Sequence, residues 1–228
     1  MKITTLEVAG FKPALHGMRN PKNSWDKGDS GFECELAECN SYDDYDDCRG
    51  RDCRFIIGEN DMKLATTLAK SGSEHSKYLR QIQVWADFDM PRYWWSEFDT
   101  YHFNSKNSCS TMHKLMDTQI HPNSFVYDPV DYAFLLTVIG KLRDIQKEYR
   151  TAKENKCQGD MDRCLLRAKR LLPEGFLQMR TVNTNYAEIA NVYHQRKHHR
   201  QHEEWVETFC AWAESLPYFR ELCIDTRG

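Results

Sequence analysis

The chain has 228 residues, 40% of them hydrophobic and 29% charged, with a formal charge of -3 and a pI near 6.3. That length supports one sizeable core, so a single domain over 1–228 is expected, and the near-neutral balance excludes a global attraction to nucleic acid or an anionic membrane. No apolar run approaches the ~18 residues needed to cross a bilayer, and the opening MKITTLEVAGF lacks the features of a signal peptide, so a cytoplasmic protein is expected.

Lys2 to Ala9 reads as the first strand. Gly17 to Asp47 is rich in Asn, Asp, Ser and Gly and reads as a long ordered loop or lid. Cys34, Cys39, Cys48 and Cys53 form two pairs with the same four-residue gap around SYDDYDDC. A polar loop with reduced thiols is the expected reading there, and a zinc site is the alternative. Cys109, Cys157, Cys164, Cys210 and Cys223 are expected to be small apolar fillers.

From Asn60, Met62, Leu64, Leu68 and the alanines between recur at helical spacing until Gly72. Ile82, Val84, Ala86 and Phe88 then alternate with polar positions, the period of a strand with one buried face. Pro91 suits a helix start, and Trp94, Phe98 and Tyr101 follow on one side as a core stripe. The segment NSKNSCST reads as a polar turn. Pro129 opens the longest helix, lined by Tyr132, Leu135, Leu136, Ile139, Leu142 and Ile145, and Asp160 is placed to cap a shorter one ending before Pro173. Two helices close the chain, about Asn185 to Arg200 and Glu203 to Ser215, the second with Trp205, Phe209 and Trp212 on one side. The expected class is α+β, mainly helical around a small antiparallel sheet.

Three clusters are suited to chemistry. SGSEHSKY places Glu74 and His75 between a helix and a strand, where a solvated pair is the plainer reading. TYHFNSKNSCSTMHK offers Asn104, Ser105, Asn107, Ser108, Ser110 and Thr111, small donors and acceptors suited to a base edge or a phosphate. In the third, Asn185, Ile189, Val192 and Arg196 share one helical stripe, an amide and a guanidinium about three turns apart, which suits a flat heterocycle. His194, His198 and His202 are spaced for a metal, although the basic residues between them favour a solvated face.

Taken in order, SGSEHSKY, MPRYWWSEFDTYHFNSKNSCSTMHK and AKRLLPEGFLQMRTVNTNYAEIANVYHQR resemble the flavin-dependent thymidylate synthases. That family has a short S/T-x-x-E-H element, a proline-started helix leading to Arg-His-Arg and a serine, then T-V-N, an asparagine-bearing helix and a catalytic arginine. The resemblance covers about residues 60 to 215, leaving 1–58 as a family-divergent strand and long loop. It implies a homotetramer binding FAD, with dUMP as substrate, methylenetetrahydrofolate as one-carbon donor and NADPH as reductant. It places His75, Lys77, Thr100, Tyr101, His102, Asn185, Ala187 and Asn191 toward the cofactor. Glu97, Asn107, Ser108, Ser110, Thr111, Met112, Lys169 and Arg196 fall toward the nucleotide, with Arg196 and Ser110 at the catalytic positions. The resemblance implies that no enzymic nucleophile attacks the base, so that positioning and polarisation are the protein's task.

The departures from that family concentrate on charge. Thr100, Tyr101 and His102 stand for Arg-His-Arg, Met112 for an arginine that grips dUMP, Ser108 for a glutamate and Ala187 for an arginine at the cofactor. Each lost charge-assisted hydrogen bond is worth about 1.5–3 kcal/mol, so other cations must compensate or the ligand differs. Lys77, Lys106, Lys114, Lys169, Arg170 and Arg180 are the candidates, with Arg19, Asn20 and Lys22 in the amino-terminal segment. The alternative is a non-catalytic nucleotide-binding or regulatory protein that keeps the fold.

Overall fold

The structure, a computed structural model, describes residues 1–34 and 53–226, with only the backbone of Cys34, Cys53, Met112 and His113. Cys39 and Cys48 therefore lie outside the described residues. The fold is α+β and mainly helical. Its elements are β1 (Lys2–Ala9), α1 (Phe11–Met18), β2 (Gly31–Cys34), β3 (Cys53–Ile56), α2 (Glu59–Lys70), β4 (Gln83–Pro91), α3 (Arg92–Phe98), β5 (Ser105–Ser108) and α4 (Thr111–Lys114). There follow α5 (Tyr132–Glu154), α6 (Gln158–Leu171), β6 (Leu177–Asn185), α7 (Tyr186–Arg196), a π-helical segment His202–Cys210 running into α8 (Ala211–Glu214), and a π-helical Arg220–Ile224. A small antiparallel sheet has the order β1-β4-β6-β5, and β2 pairs antiparallel with β3 in a register that sets Cys34 opposite Cys53.

The chain divides into two compact units, Met1–Thr4 with Ala86–Val182, and Thr5–Trp85 with Asn183–Gly228. In the first, Phe88, Trp94, Trp95 and Phe98 form a buried aromatic cluster, Trp94 stacking on Phe98 at 4.8 Å. Beside the α5–α6 hairpin, Leu135, Ile139, Leu142 and Ile145 pack with Cys164, Ala168 and Leu172. Asp128 caps the turn before α5 by accepting from the Val130 N–H at 3.0 Å. Tyr132 and Leu136, expected on the core face, are instead exposed. Ile139→Val is accordingly expected to cost about 0.5–1.5 kcal/mol in urea unfolding, and Leu136→Ala to stay within roughly 0.5 kcal/mol of the parent.

In the second unit, Phe11 packs on Phe55 and edge-on to Tyr186, and Trp205, Phe209, Phe219 and Leu222 are buried. The buried face of α2 is Asp61, Ala65 and Ala69, while Met62, Leu64 and Leu68 are half-exposed. Alanines let the neighbouring backbone approach, which a hydropathy pattern does not register. Tyr78 fills that space, its hydroxyl donating to the Ala65 carbonyl at 2.9 Å. Gly10 adopts φ 96°, and a Cβ there would lie 2.4 Å from the Gln81 carbonyl oxygen, so both strain and collision exclude a side chain. Gly10→Ala is expected to destabilise by more than about 1 kcal/mol, read as a lowered thermal midpoint.

Several expectations from sequence are corrected. The long loop from Gly17 contains the end of α1, two 3-10 turns and β2. NSKNSCST contains the edge strand β5, whose residues pair through backbone and need no apolar side chains. Asp160 does not cap α6: it lies in the first turn and accepts from the Cys157 thiol at 3.1 Å, Cys157 being the cap residue. Cys109 and Cys157 are exposed rather than core fillers, whereas Cys164, Cys210 and Cys223 are buried. Burial, then Glu214, pushes the Cys210 thiol up to about 12, which removes thiolate chemistry there at neutral pH.

Candidate functional site

In the unit formed by Thr5–Trp85 and Asn183–Gly228, the site residues cluster on α7. Asn185 is the last residue of β6 and the N-cap of α7, its amide oxygen accepting from the Glu188 N–H at 3.1 Å. The Tyr186 N–H donates to the Ile82 carbonyl at 3.1 Å, fixing where the helix leaves the sheet. The expected ligand face of this helix is corrected, because Ile189 and Val192, between Asn185 and Arg196, are 2% and 1% exposed and belong to the core. The open stripe is instead Ala187, Asn191 and Gln195, where Asn191 accepts from the Gln195 amide at 2.9 Å. Asn185 and Asn191 thus occupy different faces, and the asparagine available for a flat ligand is Asn191.

Arg196 ends α7 with its guanidinium 4.5 Å from the centroid of the buried Trp205 ring. Such contact is worth about 0.5–2 kcal/mol and restrains the position of the guanidinium. Tyr193, one turn earlier, donates to Glu214 at 2.6 Å, and Glu214 accepts from Arg220 at 2.6 Å, locking the end of the helix. Burial, then Glu214, raises the Tyr193 phenol to about 12, so it remains a donor across the working range. His75 is exposed on the turn after α2, its N–H donating to the Gly72 carbonyl at 3.1 Å. Lys77 is exposed and pairs loosely with Glu74 at 3.9 Å.

The histidines do not assemble a metal centre, and among the described residues no group of three His, Cys, Asp or Glu is placed to hold a metal ion. His194 contacts the Cys223 carbonyl at 2.9 Å, His199 accepts from the Gln201 N–H at 3.2 Å, and His202 meets Glu207 at 3.1 Å.

In the unit formed by Met1–Thr4 and Ala86–Val182, the segment standing for Arg-His-Arg follows α3. Thr100 closes that helix by donating its hydroxyl to the Glu97 carbonyl at 2.7 Å, and His102 is exposed. Tyr101 is buried, its ring 6.0 Å from Phe98, as the core stripe of Trp94, Phe98 and Tyr101 predicts: an aromatic ring there joins the core where a charged side chain would face water. Asn107 and Ser108 are exposed on β5, Ser110 and Thr111 are half-buried at the start of α4, and Lys169 is half-buried in the last turn of α6. The Met112 side chain lies outside the described residues.

Beside Thr100 lies a charge cluster that sequence reading had only in part. Asp99 accepts from Arg180 with both oxygens at 3.1 Å and pairs with Lys106 at 3.0 Å. Arg180 lies over the Trp95 ring at 4.2 Å, and its Nη2 donates to the Gln178 side chain at 3.3 Å. Two cations thus share one carboxylate beside the degenerate motif. Arg180 and Lys106 are among the cations expected from sequence, and Asp99 and Trp95 are the partners that hold them. Their sequence separation, 81 residues from Asp99 to Arg180, hides the contact from any local pattern.

Two solved structures are similar to the chain along its whole length. Both are of the flavin-dependent thymidylate synthase of Helicobacter pylori, each complexed with FAD and dUMP. Each has a TM-score of 0.65 and 14% identity, covering 99% of this chain and 99% or 98% of the other. The chain therefore has the fold of that class of enzyme, in a divergent sequence. No protein-family model matches the sequence, and no curated protein matches it. Among the described residues, no helix is long and apolar enough to cross a membrane.

Proposed function

We propose that the protein is a flavin-dependent enzyme that transfers a one-carbon unit to C5 of a pyrimidine nucleotide such as dUMP. The observation that carries this reading is Arg196 at the end of α7, 4.5 Å from the Trp205 ring, in a chain whose fold matches structures holding FAD and dUMP. Methylenetetrahydrofolate, NADPH and a homotetramer belong to the same reading, and rest on the sequence resemblance.

The residues fit the flat part of FAD better than its phosphates. Ala187 leaves room on the open stripe of α7, and Asn191 offers an amide there, so these would hold the ring, with Asn185 and the exposed His75 and Lys77 at further cofactor positions. Thr100 and His102 supply hydrogen bonds but no guanidinium toward the phosphates. Bound FAD supplies the redox chemistry that reduces the transferred carbon. The protein's own contribution is geometric: Arg196, seated on Trp205, would hold and polarise the base, and the sequence resemblance assigns Ser110, Glu97, Asn107, Ser108, Thr111, Met112 and Lys169 to nucleotide positions.

A second reading, a nucleotide-binding or regulatory protein without catalysis, is favoured by the burial of Tyr101 and by the engagement of Lys106 and Arg180 with Asp99. Protein loaded with FAD, a reduced nicotinamide and methylenetetrahydrofolate should release the C5 proton of labelled dUMP. Tight dUMP binding by calorimetry with no proton release supports the second reading and counts against the first. On either reading Asp99→Asn, which leaves two cations without their carboxylate, is expected to tighten dUMP binding about two- to five-fold at low salt. An unchanged or weaker affinity removes Lys106 and Arg180 from the nucleotide grip.

A further inference from the structure

We propose a second ligand site, for a small planar carboxylate, in the cavity between α1 and the start of α2. This cavity of about 200 Å3 is lined by Lys12, Leu15, His16, Arg19, Trp25, Phe55 and Asp61 among others, all within one unit. None of these positions carries the resemblance to the thymidylate synthases, and the proposal stands or falls apart from the flavin reading.

Arg19 governs the site. Its side chain is 5% exposed; its Nε donates to Asp61 at 2.6 Å and its Nη1 to the Ser24 carbonyl at 3.2 Å. Its Nη2 has no acceptor among the described residues. A buried guanidinium N–H without a partner is costly, and an acceptor brought by a ligand recovers that loss. Asp61 cannot provide it, because its other oxygen already accepts from the Ser30 hydroxyl at 2.6 Å and from the Asp29 and Ser30 N–H groups at 3.2 and 3.1 Å.

Charge and shape select the ligand. Asp61 neutralises Arg19, and the remaining lining charge is the exposed Lys12, so an anion is favoured over a neutral molecule. One wall is aromatic: Trp25 stacks on His16 at 5.9 Å and 16°, and its indole N–H is held by Asn20 at 2.9 Å, which fixes the ring. Leu15 and Phe55 supply apolar surface on the other sides. A carboxylate on Arg19 with a small flat body against Trp25 satisfies every one of these groups, and the volume admits little more.

The test titrates the full-length protein with benzoate and, separately, with its neutral isostere benzamide, following the Trp25 indole and Arg19 Nε–H signals by NMR. The expected result is a saturable shift of both signals with benzoate and at least ten-fold weaker binding of benzamide. Trp25→Ala, a change at an exposed side chain, should weaken benzoate at least five-fold, and Lys12→Ala about two- to five-fold. Gly28→Val places its Cβ 3.2 Å from the Trp25 carbonyl oxygen and in van der Waals contact with Arg19 Nε at 3.8 Å and Asp61 Oδ2 at 3.9 Å, so it fills the cavity beside the ion pair and should abolish the shift. Non-saturable shifts, equal binding of benzamide, or undiminished binding by Trp25→Ala would overturn the site.

Discussion

Replacing Arg196 with alanine is expected to lower release of the C5 proton from dUMP by ~10²–10³-fold, the cost of removing one preorganised donor from a developing negative charge. The basis is position: the guanidinium ends α7, and the Trp205 indole 4.5 Å away restrains it. Tyr193, Glu214 and Arg220 hold the helix end on which it sits. Arg196→Lys keeps the charge and loses the flat fork, so an intermediate rate is expected. If Arg196 polarises the base, kcat falls more than KM rises, and a change in KM alone would assign it to binding. Thermal unfolding of both variants separates this from damage to the fold, since losing the contact with Trp205 removes only about 0.5–2 kcal/mol. Equal proton release by Arg196→Ala ends the catalytic assignment.

The largest effect on stability is expected at Asp61. Its side chain is 4% exposed and pairs with Arg19 while accepting three further hydrogen bonds from Asp29 and Ser30. Asp61→Ala leaves a buried guanidinium without its carboxylate, which costs about 3–5 kcal/mol. Urea unfolding measures it; a loss below about 1 kcal/mol would mean that the pair contributes no more than a surface ion pair. The same carboxylate predicts a pH dependence. Burial works to raise its pKa, but the Ser30 and Arg19 hydrogen bonds and the Asp29 N–H outweigh it, and the folded value lies below the ordinary one. A depressed folded pKa contributes stability that is full above the unfolded value, roughly pH 4, and is lost as pH falls through the folded value. Acid unfolding of the parent should therefore steepen below about pH 4, and Asp61→Asn should lack that component.

Much of this fold was legible where burial follows a simple period. The alternation of Ile82, Val84, Ala86 and Phe88 became the buried face of β4, and Trp94 and Phe98 became core as their spacing implied. Phase errors arose where size outweighed hydropathy: Ala65 and Ala69 face inward from α2 while Leu64 and Leu68 do not. Strand β6 went unread because Leu177–Asn185 reads mostly as polar, with only Val182 and Thr184 buried. The stripe through Asn185, Ile189, Val192 and Arg196 carries two apolar side chains, and it is these that turn toward the core. The cap at Asn185 is a signal available in sequence, since asparagine before a helical run is a preferred N-cap. The pairing of Asp99 with Arg180 and the seating of Arg196 on Trp205 depend on chain reversals that no short motif encodes.

The visible absorbance spectrum of freshly purified protein, recorded before and after incubation with FAD and gel filtration, tests the central claim most directly. The account predicts flavin bands that co-elute with the protein and bleach on addition of a reduced nicotinamide. A colourless protein that emerges free of flavin after incubation would contradict it.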